Sequence, residues 1–435
     1  MIRTVRSAAR LEGTVTLPGD KSISQRAILL NSIASGSAHV SNLCHGDDRA
    51  SILSCMGGLG ISISAHSNCA QTGAEECFLV EGQGPDGLTE PDSVLDASNS
   101  GTATRLVAGL LAAQPFFSVL TGDESLRSRP MDRIITPLSE MGAHIMGRDD
   151  NSLAPLAIRG GNLSGISFEQ PVASAQVKSS ILIAGIHASG ETTVVQPAES
   201  RDHTERMMHA MGADITIDGP RISVRRSTLS AMDVAVPGDI SGAAFWLVAA
   251  CIHPNARLTI RNVGINPTRA GVLDALQSMG ANIKIKNVRE IGDEPVADII
   301  AESSQLHGTE IAGDAVPRAI DELPALALAA SLASGTTTIR DADELRFKES
   351  DRIVATVAGL SSLGADIEER PDGMTIRGVD SLQGAPCDSA GDHRIAMTMA
   401  VAGLTATGET TIAGAEAADV SYPGFWHTLN SLTPD

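Results

Sequence analysis

A repeated pattern constrains this chain more than any other feature. An apolar helix, a small-residue turn and a β-rich run recur at Ala34-Ser-Gly-Ser-Ala-His-Val, Ala188-Ser-Gly-Glu-Thr-Thr-Val, Ala333-Ser-Gly-Thr-Thr-Thr-Ile and Ala406-Thr-Gly-Glu-Thr-Thr-Ile. Weaker copies start at Ala113 and His253. The copies fall roughly 65–80 residues apart, and 435 residues accommodate six of them. A second marker runs in step: a helix ends in Gly and a strand follows, at Gly60, Gly142, Gly212, Gly280 and Gly364. Gly supplies the left-handed residue past a helix end. The helix Phe425 to Leu432 stands where the sixth copy belongs, and the chain ends there. Each repeat reads as helix, strand, further strands, helix, Gly, strand.

Units of this length exceed a propeller blade or a solenoid turn, and they fit two α/β domains of three repeats each. Val236-Pro-Gly-Asp239 breaks the chain near its middle and echoes Leu17-Pro-Gly-Asp20. We therefore expect one domain over 20–237 and a second built from 1–19 plus 238–435. Two strands near 19 and 237 would form the hinge.

The first helix of each repeat opens on a polar motif: Asp20-Lys-Ser-Ile-Ser-Gln-Arg26, Ser98-Asn-Ser-Gly-Thr102, Ala173-Ser-Ala-Gln-Val-Lys178, Gly238-Asp-Ile-Ser-Gly242, Arg318-Ala-Ile-Asp-Glu-Leu323 and Gly391-Asp-His-Arg-Ile395. Ser and Asp there are ordinary caps. Lys21, Arg26 and Arg394 are not explained by capping, because a cation at a helix N-terminus opposes the macrodipole unless an anion lies between them. Arg127, Arg129, Arg201, Arg346, Lys348 and Arg352 add basic density in loops. Charge-assisted hydrogen bonds of about 1.5–3 kcal/mol each outweigh a helix end worth about 0.3–1 kcal/mol, so these side chains would dominate anion binding.

Composition narrows the class of ligand. Lys plus Arg total 32 against 52 Asp plus Glu, a net charge of −20, and aromatics are 2%. Such a chain is a poor general polyanion binder and lacks stacking platforms for single-stranded nucleic acid. No apolar run reaches the length of a membrane span, and the N-terminus has no apolar core of a signal peptide. We expect a cytoplasmic protein with no membrane association. The six cysteines (44, 55, 69, 77, 251 and 387) form no CxxC pair. Cys44, Cys55 and His45 hint at a metal, but small apolar fillers are the simpler reading.

Leu17-Pro-Gly-Asp-Lys-Ser-Ile-Ser-Gln-Arg-Ala27, Asn99-Ser-Gly-Thr-Ala-Thr-Arg105, Arg129-Pro-Met131, Arg346-Phe-Lys-Glu-Ser-Asp-Arg352 and Asp392-His-Arg-Ile-Ala-Met397 resemble the 5-enolpyruvylshikimate-3-phosphate synthase family, in order and spacing along essentially the whole chain. The resemblance implies a two-domain inside-out α/β barrel of six βαβαββ repeats, with helix N-termini facing an interdomain cleft. It implies transfer of the enolpyruvyl group of phosphoenolpyruvate to the 5-hydroxyl of shikimate 3-phosphate, in the path to aromatic amino acids, with no metal and no organic cofactor. A monomer is expected.

Position by position, the resemblance makes Lys21, Ser22, Arg26, Ser174, Gln176, Ser200, Arg201, Asp321 and Lys348 shikimate 3-phosphate contacts. Lys21, Asn99, Gly101, Arg129, Gln176, Arg352 and Arg394 become phosphoenolpyruvate contacts. Asp321 resembles the base on the 5-hydroxyl and Glu349 the proton donor to the methylene carbon, with Lys21 the third catalytic residue. His393 orients a neighbour or moves a proton. Without the resemblance, Asp321 reads equally as a cap and Glu349 as a partner of Lys348 or Arg352.

The chain departs from the best-known branch at Ser174-Ala-Gln176, at Val420-Ser-Tyr-Pro423 where many members carry Lys, and at Glu344 in place of Asn. That pattern resembles the second branch, where glyphosate-tolerant members occur; Gly101 leaves tolerance open. The rivals are an enolpyruvyl transferase acting on a UDP-sugar, a non-catalytic phosphometabolite-binding protein and an RNA-cyclase-like module. The first typically has Asn after the first Lys and a reactive Cys in a cleft loop, and this chain has Ser22 and no Cys near Arg127. The second conflicts with the pair Asp321 and Glu349, the third with the charge and the few aromatics.

Overall fold

Each repeat is organised around one helix buried on all sides. The computed structural model describes residues 1–69 and 74–433. The chain divides into two units: Met1–Pro18, Pro237–Arg289 and Pro295–Asp435 form the first, and Gly19–Val236 with Glu290–Glu294 form the second. The fold is the two-domain inside-out α/β barrel, with helices at the centre of each unit and sheets outside.

In the second unit the central helices are Lys21–Ser32, Gly101–Ala112 and Ala175–Gly185. Their residues past the first turn are almost all buried. A helix that is apolar all round must be enclosed. Gly109 lets two of these helices touch: a Cβ there would lie 2.3 Å from the carbonyl oxygen of Ser180. In the first unit the central helices are Ile240–Ile252, Leu323–Ser331 and His393–Gly403. Aromatic packing closes that core, with Trp246 stacked on Phe425 at 5.1 Å and Trp246 edge-on to Tyr422 at 6.2 Å.

The second repeat gives the order of elements: strand Leu95–Asp96, helix Gly101–Ala112, strand Phe117–Thr121, helix Asp132–Glu140, then strands His144–Gly147 and Leu153–Arg159. Phe117–Thr121 runs parallel to the first strand and antiparallel to the last, with Leu95 opposite Leu120 and Leu120 opposite Leu156. The expected order was wrong in one respect. The β-rich run after each small-residue turn is a single strand; the further strands come after the second helix and its Gly. That hairpin covers the free edge of the central strand, which would otherwise be left unpaired. The Gly marker holds: Gly60, Gly142, Gly212, Gly280 and Gly364 all have positive φ, between 85° and 111°.

Three edge strands come from distant sequence. Val234–Ala235 runs parallel to Ser35–Ser41 and supplies the first strand of the first repeat. Leu11–Thr16 runs parallel to Ala256–Gly264 and does the same for the fourth. The last repeat stops at its second helix, and Ile2–Arg6 pairs antiparallel with Glu409–Ala413 where its hairpin would lie.

The six cysteines divide into one bonded pair and four single thiols, and the filler reading of Cys44 and Cys55 fits the latter. Cys69 and Cys77 are joined as a disulfide with Cα atoms 5.9 Å apart, beside the antiparallel strands Ser62–Ser67 and Glu76–Gln83. Cys44, Cys55, Cys251 and Cys387 are buried free thiols, and burial pushes Cys44 and Cys55 up to about 12. Such thiols are neutral packing groups. Among the described residues no helix is long and apolar enough to cross a membrane.

Candidate functional site

The expected residues gather into two half-sites, one at the helix N-termini of each unit. In the second unit Asp20 caps the first central helix, accepting from the backbone N–H of Ile23 at 2.9 Å. Lys21 follows in its first turn, held by Asp48 at 2.6 Å. Asp48 is buried and also accepts from Gln25 at 3.0 Å and from the Ser100 hydroxyl at 2.6 Å. A buried carboxylate is stable only when paired and hydrogen-bonded, so Asp48 fixes Lys21 against the start of the neighbouring helix.

Asn99, Gly101 and Arg129 form the next part. Asn99 donates to Asp123 at 2.6 Å and its side-chain carbonyl accepts from Arg129 at 2.5 Å. Arg129 also donates to Ser125 at 3.2 Å. Gln176 ties the third central helix to this group, donating to Thr102 at 2.8 Å and accepting from Arg105 at 2.7 Å. Arg105 also donates to the carbonyls of Gly101 and Pro130, each at 3.1 Å. Burial draws its pKa down to about 10, and the nearby cations Arg129 and Arg133 act in the same direction. A buried guanidinium beside another favours an anion in front of them.

Ser174 caps its helix, accepting from Val177 N–H at 3.4 Å. Ser22 lies in the first turn of its own helix, with its carbonyl oxygen 2.9 Å from Arg26 Nη1. Arg26 is buried. It donates to Thr204 at 2.6 Å and to Ser179 at 2.8 Å. Its pKa falls to about 10 through burial, partly offset by Glu205 and Asp20. Ser200 and Arg201 lie in the loop before the helix His203–Ala210. The Ser200 hydroxyl donates to Gln196 at 2.8 Å, and the Ser200 carbonyl accepts from Lys178 at 3.1 Å. Lys178 is fully buried against Glu205 at 2.6 Å, which anchors this loop to the central helix.

In the first unit Asp321 is ringed by cations. Arg352 lies 3.2 Å, Lys348 3.7 Å, Arg269 3.8 Å and Arg394 3.9 Å from its carboxylate. Arg352, 1% exposed at its side chain, also binds Asp392 at 2.8 Å and Glu349 at 2.6 Å. Burial works against this cation, but Glu349, Asp392 and Asp321 more than offset it and raise its pKa above the ordinary value. Asp392 caps the helix His393–Gly403, accepting from Arg394 N–H at 2.8 Å. Among the described residues the buried Arg394 Nε has no hydrogen-bond partner.

His393 is buried, and burial first, then Arg394 and Arg352, push its pKa well below the ordinary value. It is neutral at pH 7. In the unfolded chain the same imidazole takes a proton near pH 6.5. Stability therefore falls as pH drops below that value, by up to about 1.4 kcal/mol per pH unit. Denaturant midpoints of His393→Gln should show a shallower decline between pH 6.5 and 4 than the parent chain; identical slopes would exclude His393 as the source.

Sequence reasoning missed three groups. Arg269 lies outside the repeat openings, in Asn266-Pro-Thr-Arg269, and only its cationic type in a turn could have flagged it. Glu322 follows Asp321 in the polar opening of the fifth repeat, where no charge pattern sets it apart, and it is completely buried. Asp48 opens the second helix of the first repeat and carried no signal beyond capping. The segment Val420-Ser-Tyr-Pro423 contributes packing: Tyr422 is buried and its hydroxyl accepts from Trp246 at 3.2 Å.

Comparisons with known proteins converge on one family. The family model described as EPSP synthase (3-phosphoshikimate 1-carboxyvinyltransferase) matches residues 5–429. A protein of Roseiflexus castenholzii named 3-phosphoshikimate 1-carboxyvinyltransferase is 52% identical, over 99% of this chain and 100% of its own length. One of the same name from Desulforudis audaxviator is 51% identical over 99% of each chain. A solved structure of EPSP synthase from Acinetobacter baumannii superposes with a TM-score of 0.91 at 42% identity, covering 99% of this chain and 98% of that one.

Proposed function

This chain belongs to the EPSP synthase (3-phosphoshikimate 1-carboxyvinyltransferase) family, and from that premise we propose how its two half-sites share one reaction. The enzyme transfers the enolpyruvyl group of phosphoenolpyruvate to the 5-hydroxyl of shikimate 3-phosphate and releases phosphate, a step of the shikimate pathway to aromatic amino acids. In our reading both sets of residues act on the same substrate pair, in a monomer in the cytoplasm.

The second unit holds anions. Lys21, Ser22, Arg26, Ser174, Gln176, Ser200 and Arg201 bind shikimate 3-phosphate. Arg26 acts from a buried position and sets the first and third helices against Thr204. Asn99, Gly101, Arg129, Lys21 and Gln176 bind phosphoenolpyruvate, with Arg352 and Arg394 clamping it from the first unit. Planar guanidinium groups suit carboxylate and phosphate oxygens.

The first unit moves protons. Asp321 takes the proton of the 5-hydroxyl as its oxygen bonds to C2 of phosphoenolpyruvate. Glu349 gives a proton to the methylene carbon in the same step, forming the tetrahedral intermediate. Glu349, left as a carboxylate, then takes back a methyl proton, and the double bond returns as phosphate leaves. Lys348 lies beside the forming alkoxide. Holding two mutually repelling anions in contact supplies much of the rate.

The observation that carries this assignment is the ring of four cations around Asp321. It places guanidinium groups beside the base. The direct test mixes the chain with phosphoenolpyruvate and shikimate 3-phosphate and assays phosphate release. Turnover is expected; turnover on a UDP-sugar instead would refute it. Scattering should show a smaller radius of gyration when shikimate 3-phosphate and glyphosate are added together, and an unchanged radius counts against joint action of the two units.

Gly101 provides a finer test. A Cβ there would lie 2.8 Å from Arg105 Nη1 and 3.3 Å from Arg129 Nη1, and Arg105 is held by Gln176 and two carbonyls. Gly101→Ala should raise the KM for phosphoenolpyruvate by about tenfold, the loss of one good contact, and leave binding of shikimate 3-phosphate within a factor of about two.

A further inference from the structure

The fourth repeat opens on Asp239-Ile-Ser241, and no substrate role falls to these residues. Arg269 explains their placement. Its side chain is 4% exposed. It donates to Glu322 at 2.9 Å and to the Ser241 hydroxyl, and it lies 4.0 Å from Asp239 and 3.8 Å from Asp321. Ser241 in turn donates to Glu322 at 2.5 Å, which closes a buried triangle. Glu322 also lies 3.7 Å from Arg394. Asx-turn contacts from Asn266 to Thr268 fix the loop that delivers Arg269.

Of the four cations around Asp321, the proposed mechanism gives Lys348, Arg352 and Arg394 to the substrates. Arg269 has no substrate role in that mechanism, and its guanidinium is paired with Glu322, Asp239 and Asp321. We propose that Arg269, locked by Glu322 and Ser241, is a positioning residue that holds Asp321 ionised and aimed while its other cationic neighbours engage substrate. The proposal rests on reading Asp321 as the base.

The groups facing Asp321 fix the signs. They include Arg352, Lys348, Arg269 and Arg394 directly, with Glu322, Asp239, Glu349, Asp392 and the neutral His393 behind them. Removing the positive charge of Arg269 makes the Asp321 carboxylate harder to form. Removing the negative charge of Glu322 does the reverse. The acidic limb of kcat against pH should therefore move up by about one pH unit in Arg269→Gln, and move down in Glu322→Gln. Arg269→Gln should also lower kcat by roughly 10²-fold, with the Kd for shikimate 3-phosphate within about threefold. Arg269→Lys should recover part of the rate.

A purely structural role would lower both rates without moving the limbs in opposite directions. Limbs that stay in place, or shift the same way in both variants, overturn the proposal. If Arg269→Gln does not fold, Glu322→Gln decides it alone: a limb that does not move down is fatal. Asp321→Asn, assayed in parallel, reports on the base itself. Full activity there refutes that assignment, whatever the two limbs do.

Discussion

Replacing Asp321 by Asn lowers the rate of phosphate release by roughly 10²–10⁴-fold, the span attributed to a single general base. The amide keeps the shape of the carboxylate and loses its charge and basicity. Four cations lie within 4 Å of that carboxylate, so the variant leaves an excess of positive charge there. Anionic substrates should bind at least as well, and the KM for shikimate 3-phosphate should stay flat or fall. A variant with parental kcat removes Asp321 from the chemistry. One with a greatly raised KM and unchanged kcat makes it a binding residue instead.

The second large effect is on stability. Arg352 is among the largest fully buried side chains and joins Asp392, Glu349 and Asp321. Asp392 has no exposed surface. Replacing Arg352 by Met keeps most of the volume and leaves a buried carboxylate without its guanidinium. Breaking such a pair costs about 3–5 kcal/mol. For a unit of this size that lowers the midpoint by about 6–20 °C, measurable by calorimetry as an earlier transition. Adding Asp392→Asn to Arg352→Met should restore part of the loss, because the stranded charge is gone. If the double variant melts no higher than the single one, the cost lies in packing. Phosphoenolpyruvate turnover should not return in either case, since the proposed clamp is missing.

The repeat was legible because it is written twice, once in the small-residue turns and once in the Gly positions. Both are backbone requirements that few residues satisfy. Edge strands were illegible for the opposite reason. Val234–Ala235 and Leu11–Thr16 pair with partners nearly 200 or more residues away, and no local pattern marks such a partner. The order of strand and helix within a repeat was misread because short β-rich runs do not say which neighbour they join.

The site was legible where charge contradicts helix electrostatics, as at Lys21 and Arg394, and where whole motifs matched a family. Arg269, Glu322 and Asp48 escaped because their importance lies in tertiary pairing: each looks like an ordinary turn or cap residue in the one-dimensional string. Cys69 and Cys77 escaped because a pair eight residues apart in sequence matches no metal or redox spacing.

The strand Ile2–Arg6 and its partner Glu409–Ala413 set an order of events at the ribosome. Residues 19–236 supply nearly all of the second unit, and they emerge before most of the first unit exists. That unit can assemble during translation, as domains commonly do, while the leading strands have nothing to pair with. Leu11–Thr16 must wait for Ala256–Gly264, and Ile2–Arg6 for the last stretch of polypeptide. Nascent chains stalled shortly after residue 236 should carry a protease-resistant interior and a digestible front end.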